Sequence, residues 1–175
     1  MRGLAGHLAC QVLCVAPAVM GPEPREPAVP LLGHCSRVGW VGGALGARAS
    51  VRVRQDGEET AADGYAVLTA RVISALEELP ALLGAADAGR PVRIPLWGPW
   101  SLCLDDLLIA RMVEIAVHDD DLAVSVGVSV PGFPERAVDT VFVLLTRLAW
   151  RRHGTAAVLR ALTRAERAPA SIAAF

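Results

Sequence analysis

Glu114 and His118 stand four residues apart in the segment Arg111-Met112-Val113-Glu114-Ile115-Ala116-Val117-His118-Asp119-Asp120-Asp121-Leu122. On a helix that spacing puts both side chains on one face. Arg111 and Asp121 lie close to the same face, and Leu108, Ile109, Met112, Val113, Ile115 and Val117 make the rest of the helix apolar. Two chemistries compete for this narrow polar stripe. As a solvated face, Glu114 and His118 form an ordinary ion pair worth ~0.2–0.5 kcal/mol. Turned into a bundle, the ionised carboxylate and the neutral imidazole are ligands for zinc or a similar first-row ion. Helical bundles build such sites from inward-facing Glu and His on facing helices.

A third ligand has to come from another helix. The remaining histidines are His7, His34 and His153. His7 sits in Leu4-Ala5-Gly6-His7-Leu8-Ala9, a helix apolar enough to be buried, where a histidine is either a hydrogen-bonded core residue or a ligand. His34 lies in a glycine-rich stretch and has the weaker claim. His153 follows Arg151-Arg152 at a helix end, where a cation complements the helix dipole. Asp119, Asp120 and Asp121 read either as solvated or as hydrogen-bond partners of ligating histidines.

The elements that position these residues are set by apolar spacing. Leu4, Leu8, Val12 and Val15 recur at helical intervals, with Pro17 expected to end that helix. Pro22, Pro24, Pro27 and Pro30 mark a stiff crossover over about residues 17–30. A weaker helix is expected from Leu31 to Leu45, and a polar, basic loop from Ala47 to Glu58. Glu59 to Ala86 reads as the longest helix, kinked or broken at Pro80. Arg90 to Trp100 reads as a loop or a small extended hairpin. Ser101 is a plausible N-cap, with Asp105 and Asp106 favourable in the first turns of a helix reaching Val126 and stopping near Gly127. Further helices are expected over Glu135 to His153, and from a Thr155 cap to about Arg167. The sum is one all-α domain over residues 1–175, a helix bundle with a C-terminal helical appendage from about residue 135.

Composition narrows the classes. A chain of 175 residues with 53% hydrophobic content can build a real core. Its 17 basic and 18 acidic residues give a net charge of −1, which leaves no electrostatic footprint for nucleic acid or an acidic membrane. No run of ~20 apolar residues without a breaker is expected, so a spanning helix is not. Arg2 and Ala16-Pro17-Ala18 imitate a leader and its cleavage site, but His7 and Gln11 interrupt the apolar region. Cys10, Cys14, Cys35 and Cys103 form no CxxC pair and read as reduced core thiols in a cytoplasmic protein. No HExxH, GxGxxG, P-loop or GxSxG pattern appears. Arg48, Arg52 and Arg54 form a small basic cluster that reads as a solvated loop. All basic residues are Arg, and Lys and Asn are absent, the codon signature of a GC-rich bacterial genome.

Gly3-Leu4-Ala5-Gly6-His7-Leu8-Ala9 and the Arg111 to Leu122 segment resemble those of the mycothiol-dependent maleylpyruvate isomerase family, the actinobacterial branch of the DinB/YfiT-like metalloproteins. Trp97-Gly98-Pro99-Trp100-Ser101-Leu102 resembles the tryptophan-containing lead-in to that family's metal helix. Val158 to Pro169 resembles the tails of its relatives. The resemblance implies a four-helix bundle holding a divalent metal, usually zinc, through His7, Glu114 and His118, with water completing the shell. It implies a small-molecule thiol, mycothiol, approaching the metal as thiolate, and an electrophilic substrate. Arg111 is then a cofactor- or substrate-binding cation, or a partner of Glu114.

The chain departs from that family in two respects. The family has a complete helix before the one with the first histidine, whereas His7 comes almost directly after Met1. The expectation is a bundle shortened at its N-terminus, or a start placed too late. In the first case an uncovered apolar face invites a homodimer. The isomerases also carry a separate C-terminal domain, for which the residues after the Pro131 to Pro134 turn are too few. Maleylpyruvate isomerisation itself is therefore not assigned. The expected function is a metal- and thiol-dependent transferase or isomerase; the alternative is a non-catalytic metal-binding or partner-binding helical domain.

Overall fold

The computed structural model describes residues 1–38, 46, 48–94 and 97–175. Helix accounts for 68% and strand for 4%, so the all-α class holds. The helices are α1 (Arg2–Leu13), α2 (Val15–Met20), α3 (Leu31–Cys35), α4 (Arg48–Thr60), α5 (Tyr65–Ala85), α6 (Leu104–Val126), α7 (Glu135–His153) and α8 (Thr155–Thr163). A 3₁₀ turn at Ala165–Arg167 comes after α8. One small antiparallel ladder pairs β1 (Pro91–Val92) with β2 (Leu102–Cys103).

The longest helix is α6, at 23 residues. It is apolar nearly all round because it joins two core clusters. Leu104 and Leu107 pack with Val15, Val19, Leu79 and Val92. Val113 packs with Cys35, Val141, Leu144 and Leu148. Burying a Val or Leu side chain is worth roughly 1.5–3 kcal/mol, so α6 is held between α2 and α5 at one end and α7 at the other. It stops where predicted: Gly127 takes φ 75°, a left-handed conformation that closes a helix at little steric cost only for glycine.

Several expectations are corrected. Pro17 closes the first helix at Leu13 rather than Val15 and itself lies inside the next one. Its missing N–H cannot serve the Leu13 carbonyl, so α1 closes at Leu13. The chain then restarts as α2, with Pro17 in a first turn whose N–H groups lack helical partners anyway. As a result Arg2–Met20 makes a near-continuous run, long and apolar enough by composition to cross a membrane. A core helix and a signal sequence both meet that description; this run is 28% buried and packs against α4, α5 and α6.

The stretch read as a loop over Ala47 to Glu58 is helical from Arg48 as α4. It hides no apolar stripe, because its buried contact is backbone: Gly57 lies against Gly3 and Gly6 of α1. An Arg52–Asp56 ion pair at 2.8 Å adds support along the exposed side. The long helix expected from Glu59 is split, because Gly64 at φ 94° turns the chain before α5. Pro80 does not break α5, which runs on through it to Ala85. The carbonyl it leaves without a helical donor is that of Leu76, whose side chain is 53% exposed, so water can serve it.

Of the weak helix from Leu31, α3 is the described part; residues 39–45 lie outside the described residues. Ser101 is not the N-cap of α6. Cys103 holds that position, its sulfur accepting from the Asp106 N–H. Ser101 instead fastens the Pro-rich crossover, donating from Oγ to the Glu26 carbonyl at 2.9 Å and exchanging backbone bonds with Pro27 and Val29. Asp106 accepts from the Leu31 N–H at 3.0 Å, which fixes the start of α3 beside α6. Gly154 rather than Thr155 precedes α8 as its cap, and α8 ends at Thr163. The cysteines are free, with Cys35 buried and the other three half-buried.

Candidate metal centre

α1 and α6 cross so that His7 meets the Glu114–His118 face. α1 is also held against α4, where Gly6 and Gly57 let the two helices touch backbone to backbone. His7 Nε2 and His118 Nε2 each stand 3.3 Å from the same oxygen, Glu114 Oε2. The two imidazole rings lie 4.7 Å apart and nearly perpendicular, at 86°. One donor atom from each of the three residues falls within 4.8 Å of the others. The sequence-derived trio is therefore one cluster, across 107 residues of chain.

The donor set fits a divalent metal. Four ligands at ~2.0–2.1 Å around a tetrahedron put neighbouring donor atoms about 3.3 Å apart. That matches the two N···O distances, which are long for hydrogen bonds. The tautomers agree. His118 Nδ1 donates to Asp121 Oδ2 at 2.9 Å, as metal-ligating histidines commonly do. In neutral His118 the Nε2 lone pair then faces the Glu114 carboxylate, two acceptors with only a cation to reconcile them: a second proton or a metal.

The three side chains also balance charge among themselves. Burial opposes ionisation of Glu114, but hydrogen bonds from His118 and His7 and the Arg111 charge together hold its carboxyl far below the usual range. Glu114 in turn raises His118 above its ordinary value, against the pull of burial. The carboxylate thus favours positive charge at His118, where a metal ion would place its own. The side chains of His7, Glu114 and His118 are 18%, 20% and 28% exposed, open enough for a fourth ligand to enter.

Gln11, one turn after His7, is the residue that sequence reasoning passed over. It is only 2% exposed. Its oxygen accepts from Arg111 Nη1, so its amide group turns N–H hydrogens toward His7. It donates to the His7 carbonyl at 2.8 Å and stands 3.2 Å from His7 Nε2. The i, i+4 spacing from His7 was the available signal.

Arg111 does not ion-pair with Glu114 or with any other acid among the described residues. Its guanidinium lies 4.7 Å from the centre of the Trp97 ring. The Trp97 ring is also 4.4 Å from that of His34. His34 is 3% exposed, and burial, helped by the Arg111 charge, lowers its pKa to about 4. Trp100 Nε1 donates to its Nδ1 at 3.0 Å. His34 is not a third ligand; it belongs to a shell beside the centre. Of the three consecutive aspartates, Asp121 serves His118, Asp120 is exposed, and Asp119 keeps one buried oxygen without a hydrogen-bond partner among the described residues. His153 accepts no metal role: it meets the Ala173 carbonyl at 2.9 Å.

Comparison of the chain with protein-family models, curated proteins and solved structures found no match. The site's reading therefore rests on its own geometry and chemistry.

Proposed function

We propose that this chain is a divalent-metal-binding helical protein, with zinc as the fitting ion, held by His7, Glu114 and His118. The observation that carries this reading is the shared oxygen: two imidazole nitrogens at 3.3 Å from Glu114 Oε2, one of them with its tautomer set by Asp121. Three ligands from two facing helices suit a DinB/YfiT-like bundle, the fold to which the sequence resemblance points. Three protein ligands and partial exposure also suit a catalytic rather than a structural zinc site.

A zinc ion in such a site lowers the pKa of a bound thiol or water, making a nucleophile at neutral pH. The proposed activity is a transferase or isomerase that uses a low-molecular-weight thiol, such as mycothiol, against an electrophilic substrate. The protein's own residues supply the setting. Gln11 and Asp121 orient the two imidazoles, and Arg111 brings a buried positive charge that favours anionic ligands. The unpaired cysteines support a reducing, cytoplasmic setting. The exposed apolar side chains Phe142, Val143 and Trp150 of α7, with Leu159 and Leu162 of α8, favour the second reading, a self- or partner-binding domain without catalysis.

One experiment separates these. The chain is loaded with zinc or cobalt(II), and metal content is measured beside Glu114→Ala and His118→Ala. The expected result is about one ion per chain, lost in both variants, and a thiolate-to-cobalt absorption band when a small thiol is added. Metal without that band favours the binding domain. Failure of the intact chain to retain any metal overturns the proposal.

A further inference from the structure

The side of α7 turned away from α6 carries an ordered row of charge. Glu135, Asp139, Val143, Arg147 and Arg151 recur at every fourth residue, so they form one ridge along the helix. All five are exposed, whereas Val141, Leu144 and Leu148 on the other side are buried with Val113 of α6. The ridge reads acid, acid, valine, arginine, arginine. None of its four charged residues has an ion-pair partner among the described residues; Arg151 donates to the Leu32 carbonyl at 3.3 Å. Phe142 and Trp150, beside the ridge, are exposed as Val143 is. Helix-dipole complementarity accounts for Glu135 and Arg151 at the ends of α7, but it falls off within one turn. It gives no reason for Asp139 and Arg147 further in, on either side of an exposed valine.

We infer that this ridge is the contact by which two copies of the chain associate, their α7 helices antiparallel about a two-fold axis at Val143. A closed contact between two copies has to be self-complementary. Turned end for end about Val143, the charge order matches itself: Asp139 of each copy meets Arg147 of the other, and Glu135 meets Arg151. A parallel alignment sets every charge against its like and is repelled. Fourth-residue ridges laid into one another cross at about −50°, the commonest class of helix packing, and at that angle the two ridges run alongside each other. Val143 then packs on its counterpart, and the exposed Trp150 beside it gains apolar cover. The mixed signs disfavour nucleic acid or an acidic membrane as the occupant. One helix pair is a small interface, so association in the micromolar range is expected. His7, Glu114 and His118 belong to α1 and α6, outside the contact, so the inference stands with or without the metal.

The test is analytical ultracentrifugation of the full chain from about 1 µM to about 1 mM. The unaltered chain is expected to pass reversibly from one copy to two. Asp139→Arg makes both inner ridge positions positive, and Arg147→Asp makes both negative. Each variant alone is expected to associate about tenfold more weakly or worse. Mixed one to one, the two variants regain opposite charges at both inner contacts, and the dimer is expected to return. Arg160→Glu alters an exposed charge on α8 and should leave association unchanged; an equal loss there overturns the assignment to the ridge. Circular dichroism checks that each variant keeps its helix content. Salt gives a reading that needs no variant: raising sodium chloride from about 0.05 to about 1 M should weaken association of the unaltered chain, since screening acts on the charge pairs. A dimer that salt does not weaken overturns the charge alignment. A chain that stays single at the highest concentration overturns the inference outright. So does a dimer equally tight in both single variants, or a mixture that associates no better than its components.

Discussion

His34 is the most telling single residue outside the metal cluster, because its neutrality is enforced by the fold. Burial and the Arg111 charge lower its pKa from 6.5 to about 4, so between those values the unfolded chain binds a proton that the folded chain refuses. Stability is then fully present above about pH 6.5 and is lost as pH falls toward 4. The shift converts to about 3 kcal/mol at most. Thermal melts of the metal-free chain across that window should show the loss, and His34→Asn should flatten it, since an amide still accepts from Trp100 but does not titrate. An equally steep acid loss in the variant would show that other groups carry it. Glu114 adds its own loss at lower pH: its depressed carboxyl contributes stability above its unfolded value, surrendered as pH falls through the folded one. His118 runs the opposite way. Raised by Glu114, it contributes below its unfolded value, and that contribution fades as pH climbs through the folded one.

At the scale of elements, the α1–α4 crossing decides whether His7 reaches Glu114. A Cβ on Gly6 would overlap the Gly57 carbonyl oxygen, and one on Gly57 would overlap the Gly3 carbonyl oxygen. Neither obstacle is a flexible side-chain tip, so the helices must separate. Gly6→Ala is expected to cost about 1–3 kcal/mol and to weaken zinc retention, because His7 is the next residue. Gly84→Ala is the control: nothing lies within 4 Å of a Cβ there, so zinc retention should be untouched. Equal metal affinity in Gly6→Ala and Gly84→Ala would sink the link between this crossing and the site. The same crossing explains what could and could not be read in the sequence. Apolar spacing located α6 and α7, and their C-terminal stops were legible because Gly127 and Gly154 both take positive φ and so leave a mark in the sequence. The α4 helix left none, because a backbone contact between glycines carries no apolar periodicity. The His7, Glu114 and His118 trio was legible only through resemblance, as spacing cannot bring two residues 107 apart together. His34 was missed as a partner because its role exists only across elements, and Gln11 because its bond to Arg111 crosses helices, although its spacing from His7 was visible.

For the molecule as a whole, the proposed metal would act as a clamp between the chain's beginning and its central helix. His7 belongs to α1, and Glu114 and His118 to α6; α1 also packs on α4 and α5. An ion that binds all three residues binds the folded chain and has no such site in the unfolded one, so binding free energy becomes folding free energy. With free zinc at about a hundred times its dissociation constant, the added stability is about 2.7 kcal/mol. For a chain of this size that corresponds to a rise in Tm of roughly 5–10 °C. Metal and proton compete for His118, which Glu114 disposes toward protonation, so the rise should grow with pH, and zinc addition in weak buffer should release protons. Differential scanning calorimetry with zinc, and again after removal with a chelator, measures the shift, and a pH electrode the released protons. Glu114→Ala should abolish the shift and the acidification together. A shift that survives in Glu114→Ala would mean that zinc binds elsewhere, and the 3.3 Å contacts of His7 and His118 with Glu114 would then be a proton-bridged polar cluster holding α1 to α6 without metal.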